Sequence, residues 1–211
     1  IDEVAKSMRH NSVPELKTVI TAWRERLPNK WDEIPVWSEL FAWRGHVFRM
    51  LTECSPSQQD IKQALQILGQ HEEAWTTLRF AKVARKQGLP QVCMASLQKI
   101  QPIPPNMDVQ YTFGKLREEA LLRLESTTVQ ELTQGLNAVS KANLDYYHAN
   151  PSHKAEVLRL KGEFLSRIPD PRAAGQCRHE EANQAFSTAL GTCESHGKAW
   201  VSWGMLWEQT L

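Results

Sequence analysis

Apolar residues recur at helical spacing along almost the whole chain, and this periodicity constrains the fold more than any other feature. No stretch sustains the alternation of apolar and polar residues that a half-buried strand requires. Prolines stand between the apolar stretches and divide them, as at Pro102, Pro104, Pro105, Pro169 and Pro171. The sequence therefore predicts an all-α fold in which consecutive helices, joined by short connections, pack as antiparallel hairpins.

The periodic stretches and their flanking residues predict where the helices lie. Gly88 is expected to end one helix in the C′ position, where a left-handed backbone suits glycine. Loop breaks are expected near 54–58, 101–106 and 169–177, and residues 1–211 are treated as a single segment because there is no long linker. The predicted helices lie near 14–27, 35–53, 72–87, 90–100, 107–125, 128–143, 152–168, 178–195 and 197–211, with a further short helix near 59–69.

Composition narrows the class of protein. The chain has 211 residues, of which 41% are hydrophobic and 23% charged, with a net charge of +1. It can bury a core, but it carries no overall charge that would attract nucleic acid or an anionic membrane. Its apolar stretches fall far short of the ~20 residues of a membrane span. We therefore expect neither direct nucleic-acid binding nor membrane association.

The four cysteines, Cys54, Cys93, Cys177 and Cys193, form no C-x-x-C pair. Free thiols and a reducing compartment are expected. The histidines are scattered, so no metal site is predicted.

A repeat signature stands near the end of the sequence. Trp200-x-x-Trp203-Gly204-x-x-Trp207 matches the first-helix pattern of a tetratricopeptide repeat. Upstream, Ala182 opens a small-aromatic-small pattern typical of the second helix of such a repeat, and it stands at the distance from Trp200 that the repeat requires. The remaining residues of that pattern are Phe186 and Ala189.

Small residues in these patterns let neighbouring helices approach closely. Gly162, between Leu158 and Leu165, occupies the position that corresponds to Gly204. These registers predict an α-solenoid of antiparallel tetratricopeptide-like helical hairpins, in which Gly204 is tightly packed. An irregular helical bundle is the alternative.

No catalytic or nucleotide-binding motif occurs in the sequence, and acidic pairs such as Glu118 with Glu119 lie on amphipathic helices among basic residues. We therefore predict that the chain is not an enzyme and needs no cofactor. Trp31 lies in a polar loop and is the candidate contact for another protein or for another part of the parent chain. Core packing is expected for the tryptophans at helical positions, which are Trp37, Trp43, Trp200, Trp203 and Trp207.

Several motifs resemble a known family. Lys198-Ala199-Trp200 is similar to a motif in the FAT domains of the phosphatidylinositol-3-kinase-related kinases. Trp23-Arg24 and Trp43-Arg44 resemble the TRRAP-like branch of pseudokinase scaffolds within that group. The resemblance extends from about residue 14 to 211 and identifies residues 1–211 as a FAT segment of a much longer chain.

The resemblance implies a non-enzymatic scaffold in the nucleus. The implied partners are other parts of the parent chain including its kinase-like domain, subunits of SAGA-type histone acetyltransferase complexes, and transcription activators. Two alternatives stay open, which are the FAT segment of an active kinase of the same group and a free-standing tetratricopeptide adaptor that binds peptides.

The resemblance also raises one ligand, because some relatives bind an inositol polyphosphate in the FAT region through Lys and Arg. Lys115 and Arg117 are the candidate phosphate contacts, and a solvated basic face is the alternative.

Overall fold

The computed structural model describes residues 13–54, 59–100, 109–147, 149–170 and 177–210. Within these ranges the protein is helical, and the only β-type pairing is an isolated bridge between Pro169 and Cys177. A 3₁₀ helix spans Leu144–Tyr147. The α-helices are α1 (Val13–Glu25), α2 (Ile34–Cys54), α3 (Gln59–Lys86), α4 (Pro90–Lys99), α5 (Val109–Leu124), α6 (Val129–Ser140), α7 (Pro151–Leu165), α8 (His179–Thr192) and α9 (Gly197–Thr210).

Local sequence signals explain several helix ends. The Thr128 hydroxyl accepts a hydrogen bond from the Glu131 amide at the start of α6, and Asn150 caps α7 in the same way. Pro90 and Pro151 lie in the first turns of α4 and α7, where a missing N–H costs nothing. Gly88 has a φ of +73° after α3, which confirms its predicted C′ role.

One predicted boundary is wrong. The stretches near 59–69 and 72–87 form a single helix, α3, rather than two. Gly69 does not break it, because glycine costs a helix only about 1 kcal/mol and the preceding Leu65 and Leu68 pack in one cluster with Phe48 of α2. Packing against α2 therefore outweighs the weak helix propensity of Gly69.

The chain divides into two compact units, residues 1–102 and 103–211. The division falls within the predicted loop 101–106, which lies outside the described residues, as do 55–58 and 171–176 of the other two predicted loops. In unit 1, α2 packs on α3 and α3 on α4. Its main core joins residues of α1, α2 and α3, namely Leu16, Ile20, Trp23, Val47, Phe48 and Leu65.

In unit 2 each helix from α5 to α9 packs on the next, and α7 also contacts α5 and α9. Two glycines allow the closest approaches. A Cβ added to Gly135 on α6 would stand 2.3 Å from the Phe164 ring of α7, and one added to Gly162 on α7 would stand 2.7 Å from the Phe186 ring of α8. Serial packing of helical hairpins is the all-α solenoid class that the periodicity predicts.

The cysteines whose side chains are described are free thiols, as predicted. Cys93 is buried, and Cys177 and Cys193 are partly exposed. The side chain of Cys54 lies outside the described set.

Candidate interaction surfaces

The two Trp-Arg motifs of unit 1 meet in space. The rings of Trp23 on α1 and Trp43 on α2 lie 5.5 Å apart, and the Arg44 guanidinium lies 5.8 Å from the Trp23 ring. Arg44 is 3% exposed and donates hydrogen bonds to the backbone carbonyls of Trp23 and Arg26. The motifs therefore fasten α2 to the end of α1, a structural role that their sequence positions alone do not show.

Trp43 corrects an expectation. It is 40% exposed rather than buried, whereas Arg44 and Trp37 on the same helix are 3% and 0% exposed. Trp37 is fully buried, as predicted.

Glu72 on α3 completes this cluster. Its carboxylate is 2% exposed and forms an ion pair with Arg24, which also lies over the Trp75 ring. Burial raises the pKa of Glu72 more than the hydrogen bond and charge of Arg24 lower it. Within the described ranges, Oε2 of Glu72 and Nη1 of Arg44 have no hydrogen-bond partner and are shielded from solvent. The buried charges of Arg44 and Glu72 were not predicted from the sequence, although an arginine among the apolar residues of α2 was a signal for the first of them.

A cleft of about 630 Å³ lies beside this cluster, between α2, α3 and α4. Its α2 wall combines the small residues Ala42 and Gly45 with larger ones such as Phe41 and Arg49, and Phe80 contributes from α3. The lining carries both basic and acidic groups, so the cleft does not select a ligand by charge alone.

Trp31 is held on the surface by its loop. Its ring is 73% exposed, and Lys30 lies over it at 5.0 Å. The Gln87 side chain donates hydrogen bonds to the carbonyls of Lys30 and Asp32, which fixes the loop against the end of α3. An exposed aromatic ring on a fixed loop suits a protein contact, and that role stays a prediction.

Unit 2 contains a buried charge network centred on Glu156 of α7. Arg159 donates two hydrogen bonds to this carboxylate, and Arg117 on α5 donates a third at 3.1 Å. Burial alone would raise the pKa of Glu156, but the two arginines lower it to about 2. Arg159 also pairs with Glu163, whose carboxylate accepts a hydrogen bond from Ser202 of α9. The network therefore links α5, α7 and α9.

The predicted phosphate contacts belong to this network. Arg117 forms ion pairs with Glu118 and Glu156. The negative charge of these two carboxylates opposes the approach of a phosphate. Lys115, two residues away on α5, is partly exposed and also has a side-chain interaction. A role of Lys115 and Arg117 in phosphate binding stays a prediction.

The structure brings the upstream repeat residues together as the signature requires. Phe186 is 1% exposed and lies against Gly162, while Ala182 and Ala189 on either side of it are fully buried. Leu165 clusters with Ala182, and Leu158 clusters with Ala189. On α7 two large residues flank a glycine, and on α8 two small residues flank an aromatic ring. The ring packs on the glycine, and the large residues lie with the small ones.

The C-terminal part of the signature differs from the expectation. Trp200 and Trp207 are 50% and 53% exposed, and a Cβ on Gly204 would meet nothing within 4 Å among the described residues. The reason is the face of α9 on which they lie, since α9 packs inwards through the opposite face, which carries Ala199 and Leu206. Predicted tight packing at Gly204 is therefore wrong for this structure.

Trp203 lies between the two faces of α9. It is partly buried, and its indole N–H donates to the Asn183 side chain at 2.7 Å.

Other classes of site were sought in the described residues. They contain no group of three or more His, Cys, Asp or Glu side chains that could hold a metal ion. None of their helices has both the length and the apolar character that crossing a membrane requires.

Comparison with known proteins assigns the family. The FAT domain family matches residues 1–211. The chain belongs to the FAT domain family. Several proteins are similar to it over nearly the whole chain, whereas the chain spans only about 5% of the length of most of them.

The relatives are transcription-associated proteins. The chain is 39% identical over 206 residues to the SAGA complex/NuA4 acetyltransferase complex subunit TRA1 of Saccharomyces cerevisiae, covering 93% of this FAT chain and 5% of the relative. It is 36% identical to the Schizosaccharomyces pombe subunit Tra1, covering 92% of the chain and 5% of that relative. The human transformation/transcription domain-associated protein is 34% identical, with coverages of 93% and 5%. The resemblance predicted from the Trp-Arg and Lys-Ala-Trp motifs is confirmed.

Proposed function

We propose that this FAT chain is a non-enzymatic scaffold segment of a transcription coactivator that recruits histone acetyltransferase machinery to activator-bound chromatin in the nucleus. The observation that carries the proposal is similarity over more than nine-tenths of the chain to proteins named as subunits of SAGA and NuA4 acetyltransferase complexes. The chain corresponds to about 5% of those relatives, so the activity and partners of the whole protein enter as part of this proposal.

The state of the buried acids supports a scaffold rather than a catalyst. A general acid or base needs a carboxyl group that can exchange a proton with a substrate. The buried glutamates of the described residues, Glu72, Glu118 and Glu156, all lie in ion pairs with arginine. The pairs of Glu72 and Glu156 join α1 to α3 and α5 to α7.

The exposed aromatic residues support protein contact. Tryptophan is enriched at the energetic centres of interfaces, and Trp31, Trp200 and Trp207 are each at least half exposed. The proposed partners are other parts of the parent chain including its kinase-like domain, subunits of the acetyltransferase complex, and transcription activators.

Purification of the tagged parent protein from nuclear extract tests the proposal. We expect histone acetyltransferase activity to co-purify and no ATP-dependent phosphotransfer to protein substrates. Phosphotransfer that depends on the parent's own kinase-like domain would favour the active-kinase alternative. Recovery of the parent without acetyltransferase activity would contradict the proposal.

A pair of substitutions tests the contribution of this segment. Phe186→Ala removes a buried ring, whereas Thr188→Ala changes an exposed position on the same helix. We expect Phe186→Ala to reduce the acetyltransferase activity recovered per molecule of parent, and Thr188→Ala to leave it unchanged. Equal recovery with both variants would mean that the segment does not support assembly.

A further inference from the structure

The cleft between α2, α3 and α4 of unit 1 contains two buried charged groups that are only partly hydrogen-bonded. Arg44 and Glu72 line the cleft, and they are 3% and 2% exposed. Nη1 of Arg44 and Oε2 of Glu72 are shielded from solvent and have no hydrogen-bond partner among the described residues. Buried polar groups are nearly always hydrogen-bonded, so an unpaired donor and an unpaired acceptor beside one cleft indicate a site for a ligand.

The side chains around these two atoms form their hydrogen bonds elsewhere. Both contacts that Arg24 makes with Glu72 fall on Oε1, one of them from Nε at 2.6 Å. Arg44 donates from Nη2 to two backbone carbonyls at the end of α1. The Thr76 hydroxyl, which also lines the cleft, donates to backbone carbonyls of its own helix. The unpaired acceptor therefore lies on α3, and the unpaired donor lies on α2.

The charges of the two groups determine which ligand fits. A carboxylate or phosphate would pair with Arg44 but would be repelled by Glu72, whereas an ammonium group would be attracted and repelled in the opposite way. A neutral group with a donor and an acceptor side by side satisfies both. A primary carboxamide has this arrangement, because its nitrogen donates and its carbonyl oxygen accepts. A hydroxyl group offers a single oxygen for both interactions.

The rest of the cleft suits a planar apolar body beside the amide. The cleft volume of about 630 Å³ lies within the range of small-ligand pockets. The rings of Phe41 and Phe80 line it with their centroids 6.4 Å apart, and the Arg44 guanidinium lies 5.7 Å from the Phe41 ring. A Cβ added to Gly45 would meet nothing within 4 Å among the described residues, so the space beside Arg44 is open.

We propose that this cleft binds a primary carboxamide, whose N–H donates to Oε2 of Glu72 and whose oxygen accepts from Nη1 of Arg44. The Glu72 carboxylate reaches the ligand by turning about its terminal torsion, which has broad minima. The body that carries the amide lies against Phe41 and Phe80. Two sources share this chemistry, which are an Asn or Gln side chain of the parent polypeptide and a free small-molecule amide.

Titration of the 211-residue chain with benzamide, benzoate and benzylammonium tests the proposal, because the three probes differ mainly in the charge of the polar group. Amide NMR shifts of Phe41, Gly45 and Thr76 report binding in the cleft. A pH of about 8 is used because the pKa of Glu72 is raised by burial and its carboxyl group must be ionised. We expect benzamide to bind at least about tenfold more tightly than either charged probe, since each charged probe is repelled by one buried group. Equal binding of the three probes, or binding of none, would overturn the proposal.

Glu72→Gln should invert the preference among the probes. Arg24 donates to one side-chain oxygen at this position, so the glutamine carbonyl should face Arg24 and its NH₂ should replace the unpaired Oε2. Two donors would then face the ligand, and we expect benzoate to bind more tightly than benzamide. Glu73→Gln removes the same charge at an exposed position that also lines the cleft, and it should keep the preference for benzamide. An unchanged preference in Glu72→Gln would overturn the proposal.

Gly45→Leu is a second variant that leaves both buried charges in place. Its side chain enters the open space beside Arg44, so we expect the melting temperature to stay the same or rise and benzamide binding to be lost. Gly191→Leu, at an open helical glycine of unit 2, is the matched control and should bind benzamide normally. Undiminished benzamide binding by Gly45→Leu would show that the probe binds outside the cleft, which would overturn the proposal.

The intact parent protein distinguishes the two sources of the amide. Saturation-transfer NMR of benzamide measures binding to the parent. If an Asn or Gln side chain of the parent fills the cleft, benzamide should bind the 211-residue chain but not the parent. If a free amide is the natural ligand, benzamide should bind both, and Gly45→Leu should abolish both. Binding to the parent that survives Gly45→Leu would count against the proposal.

Discussion

Each unit buries a glutamate carboxylate, and the two units stabilise that carboxylate in different ways. In unit 2, Glu156 receives hydrogen bonds from two arginines, and its pKa is lowered to about 2. In unit 1, Glu72 has one arginine partner, its second oxygen has no hydrogen-bond partner among the described residues, and burial raises its pKa. A buried carboxylate is therefore stabilised by the number of donors that converge on it, and a single ion pair does not compensate for burial.

The largest effect should follow from removing the centre of the unit 2 network. Arg159→Ala leaves Glu156 and Glu163 without their shared partner, and we expect a loss of about 3–5 kcal/mol in the free energy of unfolding of unit 2. Urea unfolding followed by the Trp203 indole resonance measures it. Arg178→Ala, which breaks the more exposed pair with Glu181, should cost less than about 1 kcal/mol. Equal losses in the two variants would contradict the network.

The free energy of unfolding should depend on pH with opposite signs in the two units. The pKa of Glu156 is below its ordinary value of 4.5, so the unfolded state binds more protons between pH 4.5 and 2. Its contribution, about 3 kcal/mol from the size of the shift, is present above pH 4.5 and lost as the pH falls through 2. Glu72 has a raised pKa, so its ionisation weakens unit 1 as the pH rises above 4.5.

Residue-resolved hydrogen exchange between pH 2 and 7 checks both signs. Glu156→Gln should remove the acid-side slope from unit 2, and Glu72→Gln should remove the opposite slope from unit 1. Glu39→Gln, at an exposed position of α2, is the control for loss of one charge. Slopes of the same sign in both units would contradict the comparison.

The close approach in unit 2 should not tolerate a methyl group. Gly135→Ala places a Cβ within 2.3 Å of the Phe164 ring, and we expect a loss of about 1–3 kcal/mol despite the better helix propensity of alanine. Thermal unfolding measures it. Combining the change with Phe164→Leu should recover part of the loss, because the smaller side chain leaves room. A double variant no more stable than predicted by adding the two single effects would count against direct contact.

The smallest effect is expected at an open glycine. In the 211-residue chain, Gly204→Leu meets no neighbouring atom among the described residues, so it should raise the free energy of unfolding by up to about 1 kcal/mol through helix propensity. Gly191→Leu should behave alike. A loss above about 2 kcal/mol at Gly204 alone would show that its hollow is filled within this chain.

The periodicity of apolar residues and the residues that cap helices were sufficient to predict most of the helices. The helix ends at Gly88, Thr128 and Pro151 follow from backbone rules that act over a few residues. The continuity of α3 through Gly69 could not be predicted in this way, because it depends on the packing of Leu65 and Leu68 with Phe48 in another helix.

The spacing of the repeat signature also left part of the packing undetermined. The spacing from Ala182 to Trp200 predicts a helical hairpin, but that Phe186 packs against Gly162 of α7 is known from the structure. It could not say which face of α9 turns inwards, because indoles and glycine suit both a buried and an exposed position of a repeat helix. The inward face was decided by Ala199, Leu206 and the hydrogen bonds of Ser202 and Trp203.

The sequence by itself determined that the chain is helical, that it carries a tetratricopeptide-like repeat, and that it belongs with FAT segments. These properties depend on residue type and local spacing, which a linear sequence contains in full. Only the tertiary structure decided that Arg44 fastens α2 to α1, that Arg117 serves Glu156, and that Gly204 lies open between two exposed indoles. These depend on side chains 18 to 39 residues apart in sequence, and on the direction in which each helix turns.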